Sequence, residues 1–507
     1  MSDETAPPAN TVLIRGGRVL TCDSDHTVFD PGEVWIEGRR VAAVGRQGAV
    51  KPPGAAGPAR TIEAAGRIVM PGLINGHCHS YTALLKGTID GVPLDIYMLY
   101  VMAAGTGRTP RDVAVSALVD SIAMIRTGTT SIIDHFSHRP AVTGEALDAV
   151  AGAFFESGLR AAIAPMFADL PYLDTVPLDK GSLPKDVLDA HARRPSPDPR
   201  LYFEMMERAL DRFSPPDGRV KLLLGVDGPQ RCSPELLEMT GDFQRRHRLG
   251  LHTHMLETKT QAVMAEGGGF VRRLLDLGIL DDKSSLVHFI WCTEDDIAAA
   301  REGGVTIIHS PRSNLRSSAG VCPLLKLRRA GLPIGLGTDG SNSGVPNMFD
   351  LTRLAGLLAR ATEPEFEDWL SARDVFEMAL GGGARAMGLP GELGVITAGA
   401  LADVIVLNPR SRLSRPMGDV WSHLAYYENG SGVETVIIDG EVVLEDGRLL
   451  TLDEDAILAE ADEIVARHGA LRQGAEDEVA RLYPAFHDMV VSTLDRKDRL
   501  QRLIRFE

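Results

Sequence analysis

Eight short apolar runs, each separated from the next by a helix-length segment, constrain this chain more than any other feature of it. They cover residues 74–79, 131–135, 161–167, 220–226, 249–254, 286–290, 305–309 and 334–339. Runs of this length without a polar face read as strands covered on both sides, as in a parallel sheet whose crossovers are helices. Eight is the number that closes a (β/α)8 TIM-like barrel. The connection after the third run, residues 170–219, is long and rich in proline, from Pro171 to Pro216. It predicts a helix over 201–213 and a segment overhanging the mouth of the barrel.

The ends of the chain follow a different pattern. Residues 12–17, 33–38 and 41–45 are strand-like and broken by glycine turns, and segments of the same style return at 402–407 and 433–440. The expected fold is therefore α/β: a TIM-like barrel plus a small β-sandwich domain formed from both chain ends. The corresponding division is 1–70 and 391–450 for the small domain, 71–390 for the barrel, and 451–507 for a charged helical extension packed outside it.

Composition narrows the partners. The chain carries 53 Lys+Arg against 69 Asp+Glu, a net charge of -16, so it lacks the basic footprint that nucleic acid requires. Its apolar runs fall short of the ~18 residues that a membrane helix needs, and the polar N-terminus has no secretory pattern. Five scattered cysteines without CxxC spacing fit buried thiols in a reducing, cytoplasmic setting.

The chemistry-bearing residues gather where the runs end. His77 and His79 are two apart on one strand, so both imidazoles face the same side, while Cys78 points away and packs. His254 ends the fifth run, with Glu257 about one turn further on, within reach of a water on the same ion. His288 and Asp339 close the sixth and eighth. Each of these alone is ordinary: a strand-end histidine is usually a satisfied core residue, and an aspartate before glycine usually forms a turn. Together they fall on the C-terminal face, where barrel active sites are built, and they suit a zinc-like ion that keeps one position open for water. His252 shares the parity of His254 one layer lower, which predicts a hydrogen-bonding role in the core.

The motifs around these residues resemble the amidohydrolase superfamily, in its mononuclear deaminase and chlorohydrolase-like branch. They are Pro71 to His79, Gly128 to Ser131, His254 to Thr258, Val287-His288, Ser310 to Asn314, Gly337 to Asp339 and Gly394 to Asp403, in order over residues 10–450. The resemblance implies a metal-dependent hydrolase in which His77, His79, His254 and Asp339 ligate the ion. It further implies that Glu257 shuttles protons, that His288 polarises the substrate or orients the water, and that Asp339 takes a proton. No lysine closes the fourth run, since Lys221 opens it, so one divalent ion per chain is expected: zinc, with Fe2+ or Mn2+ as alternatives.

The expected reaction is cleavage of a C–N bond by a metal-activated water, foremost deamination of an amino-substituted N-heterocycle. Hydrolysis of an amide or a carbon–halogen bond on the same site is the alternative, and a non-catalytic binding protein the second. Substrate contacts are expected from His309, Asn314, Arg231, Trp291 and Ile96. Ile96 stands where nucleoside deaminases of this kind place a ribose-reading glutamate, and Asp227 where they place a substrate-facing histidine, so nucleosides are expected to be poor substrates. The partner is a small molecule, and relatives of this kind imply a homodimer or larger homo-oligomer.

Overall fold

The computed structural model describes residues 11–51, 57–105, 107–193, 196–213, 218–265, 269–410, 415–496 and 502–503. Five strands come first: β1 (Thr11–Leu20), β2 (Val28–Glu37), β3 (Arg40–Arg46), β4 (Arg60–Glu63) and β5 (Ile68–Pro71). The central segment supplies β6 (Leu73–His79), β7 (Thr129–Asp134), β8 (Arg160–Ile163), β9 (Met166–Phe167), β10 (Val220–Leu222) and β11 (Gly225–Val226). It continues with β12 (His252–Met255), β13 (Ser285–His288), β14 (Thr306–His309), β15 (Ile334–Leu336) and β16 (Asp339–Gly340). Last come β17 (Val404–Leu407), β18 (Val433–Ile438), β19 (Glu441–Glu445) and β20 (Arg448–Leu449).

All eight apolar runs form strands, paired in parallel with their neighbours in chain order. One sheet runs β10-β8-β7-β6-β16 and another β12-β13-β14-β15. A parallel bridge from Leu224 to Leu251 lies between β10 and β12, and β16 pairs with β6, Asp339 opposite Cys78. The third, fourth and eighth runs are each split into two short strands. Pro165 interrupts the third, since it has no N–H to give the ladder. In the eighth, Gly337 lies so close to β6 that a Cβ there would come within 2.6 Å of the His77 Cβ. The break after Leu336 thus lets the chain bring Asp339 beside the histidines of β6.

The strands of the two chain ends join in one nine-stranded mixed sheet, in the order β20-β19-β18-β17-β5-β1-β2-β3 with β4 beside β1. Its apolar side chains, among them Ile14, Val34, Ile36, Val404 and Ile437, form a core of their own. Against the central strands the sheet is held by a buried charge cluster. Arg160, at the start of β8, donates to both carboxylate oxygens of Asp403 at 2.9 Å and to Asp439 at 2.7 Å. Arg160 and Asp403 are each 3% exposed. Removing one member of a buried pair leaves uncompensated charge and costs about 3–5 kcal/mol. Arg160→Ala is therefore expected to lower the unfolding free energy by that amount, with lower thermal and urea midpoints, without changing the site geometry. A loss under about 1 kcal/mol in urea denaturation would contradict it.

The proline-rich connection holds helices Lys185–Arg193 and Pro199–Phe213. The second confirms the expected helix but packs inward, Phe203 against Phe243. Among the described residues of the connection, Tyr172, Thr175 and Val176, at its start, are those that reach the cavity at the strand ends. The C-terminal extension forms helices Glu454–Arg467 and Gly469–Asp495. The first lies on helix Pro110–Arg126 through Ile464 and Val115; the second covers helix Leu94–Ala104 through Val479, Leu482 and Phe486.

Candidate metal centre and active site

Six side chains from four strand ends meet at one point. His77 and His79 extend from β6, His254 from β12, Glu257 from the turn after it, His288 from the end of β13, and Asp339 from the start of β16. His288 and Asp339 take φ of 72° and 61°. Left-handed backbone is disfavoured for residues with a Cβ and marks places where strain is kept for a purpose. Here it turns both side chains towards the centre at the point where the ladder ends.

The imidazole nitrogens are sorted by their partners. His79 Nδ1 donates to the His135 carbonyl at 2.7 Å, and His254 Nδ1 donates to the Asp227 carbonyl at 2.7 Å. A carbonyl only accepts, so in the neutral rings both Nε2 atoms carry lone pairs. Those two Nε2 atoms lie 3.2 Å apart, facing each other. Two lone pairs at that distance repel unless a cation sits between them, a proton or a metal ion. His288 Nδ1 meets Asn314 Oδ1 at 2.8 Å, which leaves its Nε2 free as well. The Nε2 atoms of His77 and His288 are buried without a hydrogen-bond partner.

Asp339 supplies the negative charge. Its carboxylate lies 3.3 Å from His79 Nε2, 3.7 Å from His77 Nε2 and 3.8 Å from His288 Nε2. Ligating atoms of His77, His79 and His254 fall within 4.8 Å of one another, as do those of His77, His288 and Asp339. Burial works against ionising Asp339, but the neighbouring His77, His79 and His288 imidazoles outweigh it and hold the carboxyl well below its usual range. Burial likewise keeps His77 and His79 below theirs, so both stay neutral, whereas at His254 the Asp227 carboxylate outweighs burial and raises the ring to about 9, so an ion binding there displaces a proton. Neutral imidazoles and an ionised carboxylate are the protonation states a divalent ion binds, and the donor set fits zinc or another borderline ion.

Glu257 lies apart from this set. Its Oε1 is 3.5 Å from His288 Nε2, and its backbone N–H is held by Gln261. Burial, reinforced by the Asp339 charge, pushes its carboxyl up to about 8. A dication beside it acts in the opposite direction, bringing it back towards neutrality, where a proton-transfer group works best.

The expected substrate contacts divide. Arg231 lines the cavity, paired with Asp227 and stacked over Tyr172 at 5.3 Å. The other four lie behind the wall. Asn314 is spent on orienting His288, and Trp291 donates to the Ala319 carbonyl at 2.7 Å. His309 is 1% exposed with burial holding it at about 3. Ile96 faces the C-terminal helix, in the cluster of Leu482 and Phe486, because helix Leu94–Ala104 turns that side outwards. The side facing the cavity carries Asp95 instead, whose carboxylate accepts from Thr260 at 2.9 Å and is pushed by burial to about 6. Tyr97, Ser313 and Arg316 also line the cavity and were not anticipated. Asp95 was one position away in the same motif; the other three carry no local sequence signal.

Known proteins agree with this geometry. The chain is 31% identical over 466 residues to a 5'-deoxyadenosine deaminase of Methanosarcina mazei, covering 90% of this chain and 99% of that one. An atrazine chlorohydrolase of Arthrobacter aurescens, solved with zinc, superposes with a TM-score of 0.80 at 26% identity, over 90% of this chain and all of the other. An adenosine deaminase of Xanthomonas campestris with bound zinc gives 0.78 at 26% identity, over 90% and 98%. Residues 68–443 match the model of the amidohydrolase family. With the match spanning both the strand-end cluster and the strands that carry it, the chain belongs to the amidohydrolase family, as a hydrolase acting on carbon–nitrogen bonds.

Proposed function

We propose that the protein is a mononuclear metal-dependent deaminase of an amino-substituted N-heterocycle, with His77, His79, His254 and Asp339 as ligands of one zinc ion. The observation that carries this is the 3.2 Å approach of the His79 and His254 Nε2 atoms to each other, beside an ionised Asp339. Such an ion, when bound, makes water acidic enough to act as a nucleophile at neutral pH. The chain's own residues do the rest. Glu257 holds a proton near the leaving nitrogen, and His288, fixed by Asn314, directs Nε2 at the reacting carbon's surroundings. Asp339 is the acceptor for a proton released at the centre.

The same proposal includes a closed barrel over 71–390, supported by the pairing of β16 with β6. It includes the small domain from 1–70 and 391–450 as a sheet folded over its own core, and 451–507 as a separate extension. Five unpaired cysteines favour cytoplasmic residence. No helix among the described residues is long and apolar enough to cross a membrane. Association into a homodimer or larger homo-oligomer, by analogy with relatives of this kind, belongs to the same proposal.

Ile96 lies outside the cavity, so it no longer counts against a nucleoside; Asp227, tied to Arg231, still occupies a place where a histidine would read a purine. We expect aminopyrimidines, aminopurines, pterins or triazines to outrun adenosine and 5'-deoxyadenosine by at least about tenfold in kcat/KM, a difference of about 1.4 kcal/mol. Ammonia release measured across that panel tests it. Turnover of a nucleoside above every free heterocycle would overturn the preference, and halide release without ammonia would overturn deamination.

A further inference from the structure

We propose that His252 is a positioning residue that determines which nitrogen of His77 faces the metal ion. The inference rests on the metal-centre reading given above and concerns a residue that takes no ligand role in it.

His77 differs from the other ligand histidines. The Nδ1 atoms of His79 and His254 are each held by a carbonyl, which only accepts, so their tautomers are set by the backbone. His77 Nδ1 meets instead the Nε2 of another imidazole, His252, at 2.8 Å. His252 Nδ1 lies 2.7 Å from Ser285 Oγ, and that hydroxyl faces the Leu251 carbonyl at 3.4 Å. His77, His252 and Ser285 are each 0% exposed, so no solvent takes part in the arrangement.

Such a chain has two proton arrangements. In the first, His77 Nδ1–H donates to His252 Nε2, His252 Nδ1–H donates to Ser285 Oγ, and the hydroxyl donates to the Leu251 carbonyl. In the second, every proton is reversed, and His77 Nε2–H points at Asp339. Both keep each ring neutral, in line with complete burial. Only the first leaves a lone pair on His77 Nε2, which is what an ion requires. His252 thus supplies the acceptor that makes the ligating tautomer available. Ligating histidines are commonly fixed by a carboxylate or carbonyl on the far nitrogen, and loss of such a partner weakens metal binding by about 10- to 100-fold. A neutral imidazole in that place fixes the ring without adding a second negative charge beside Asp339.

The experiment is zinc affinity of metal-stripped protein, measured by competition with a chromophoric chelator, beside the thermal midpoint of the same apo sample. His252→Leu removes the acceptor and is expected to weaken zinc binding 10- to 100-fold. His252→Gln can present its amide oxygen near the position of Nε2 and is expected to recover most of the affinity, which a purely space-filling role would not predict. If His252→Leu does not fold, Ser285→Ala gives the same reading with little loss of volume: weaker zinc binding supports the relay, unchanged binding overturns it. A folded His252→Leu with wild-type affinity, or a glutamine variant as weak as the leucine one, also overturns it. Wild-type protein that takes up no divalent ion would defeat the metal-centre reading itself, a result distinct from either of these.

Discussion

Asp339→Ala protein is expected to lose its metal and to turn over substrate at least about a thousandfold more slowly. The carboxylate lies within 4 Å of the His77, His79 and His288 Nε2 atoms alike, and the neighbouring imidazoles keep it ionised despite burial. Without it, three imidazoles alone face a dication in a buried place, and the charge stabilisation a bound metal contributes, several kcal/mol, is lost with the ion. Elemental analysis after dialysis and initial rates in zinc-supplemented buffer check both parts. Because the Asp339 charge also helps to raise the Glu257 carboxyl, that group should titrate lower in the variant than in metal-free wild-type protein. Full zinc occupancy in Asp339→Ala would remove it from the ligand set.

Glu257→Gln separates proton transfer from metal binding. The side chain lies 3.5 Å from His288 Nε2 and belongs to none of the three groups of candidate ligands among the described residues. Glutamine keeps its volume and its place beside Gln261 while removing the titratable proton, and general acid–base roles are worth about 10²- to 10⁴-fold in rate. We expect kcat to fall within that range with zinc content and KM little changed. The limb of the pH–rate profile that reports Glu257 should vanish, since no proton remains to be gained or lost there. Retention of more than about a tenth of wild-type kcat, or loss of zinc, would show the assignment to be wrong.

The sequence by itself determined the strands and the chemistry at their ends. Periodicity two puts His77 and His79 on one face, apolar runs without a polar side require cover on both faces, and strand-end histidines together with a carboxylate suit an ion. These are local rules, and each run appears in the structure where the rules place it. Residues 12–45 and 402–440 were legible as one small unit for the same reason, although their union in a single nine-stranded sheet depends on β17 lying beside β5.

What lines the cavity was decided only by tertiary structure. Asp95 and Ile96 are neighbours on one helix turn, and the burial of Ile96 under Leu482 and Phe486, nearly four hundred residues later, turns Asp95 towards the site. Asn314 reads as a polar loop residue that could face substrate, but the 2.8 Å approach of His288 takes its amide oxygen. The choice of His252 as the partner of His77 has the same origin: it depends on two strands, β6 and β12, meeting with their imidazoles 2.8 Å apart. Local pattern fixes which way a side chain points from its own strand or helix. Which group it meets there depends on the packing of segments far apart in the chain, where one helix turn or a fraction of an ångström changes the partner.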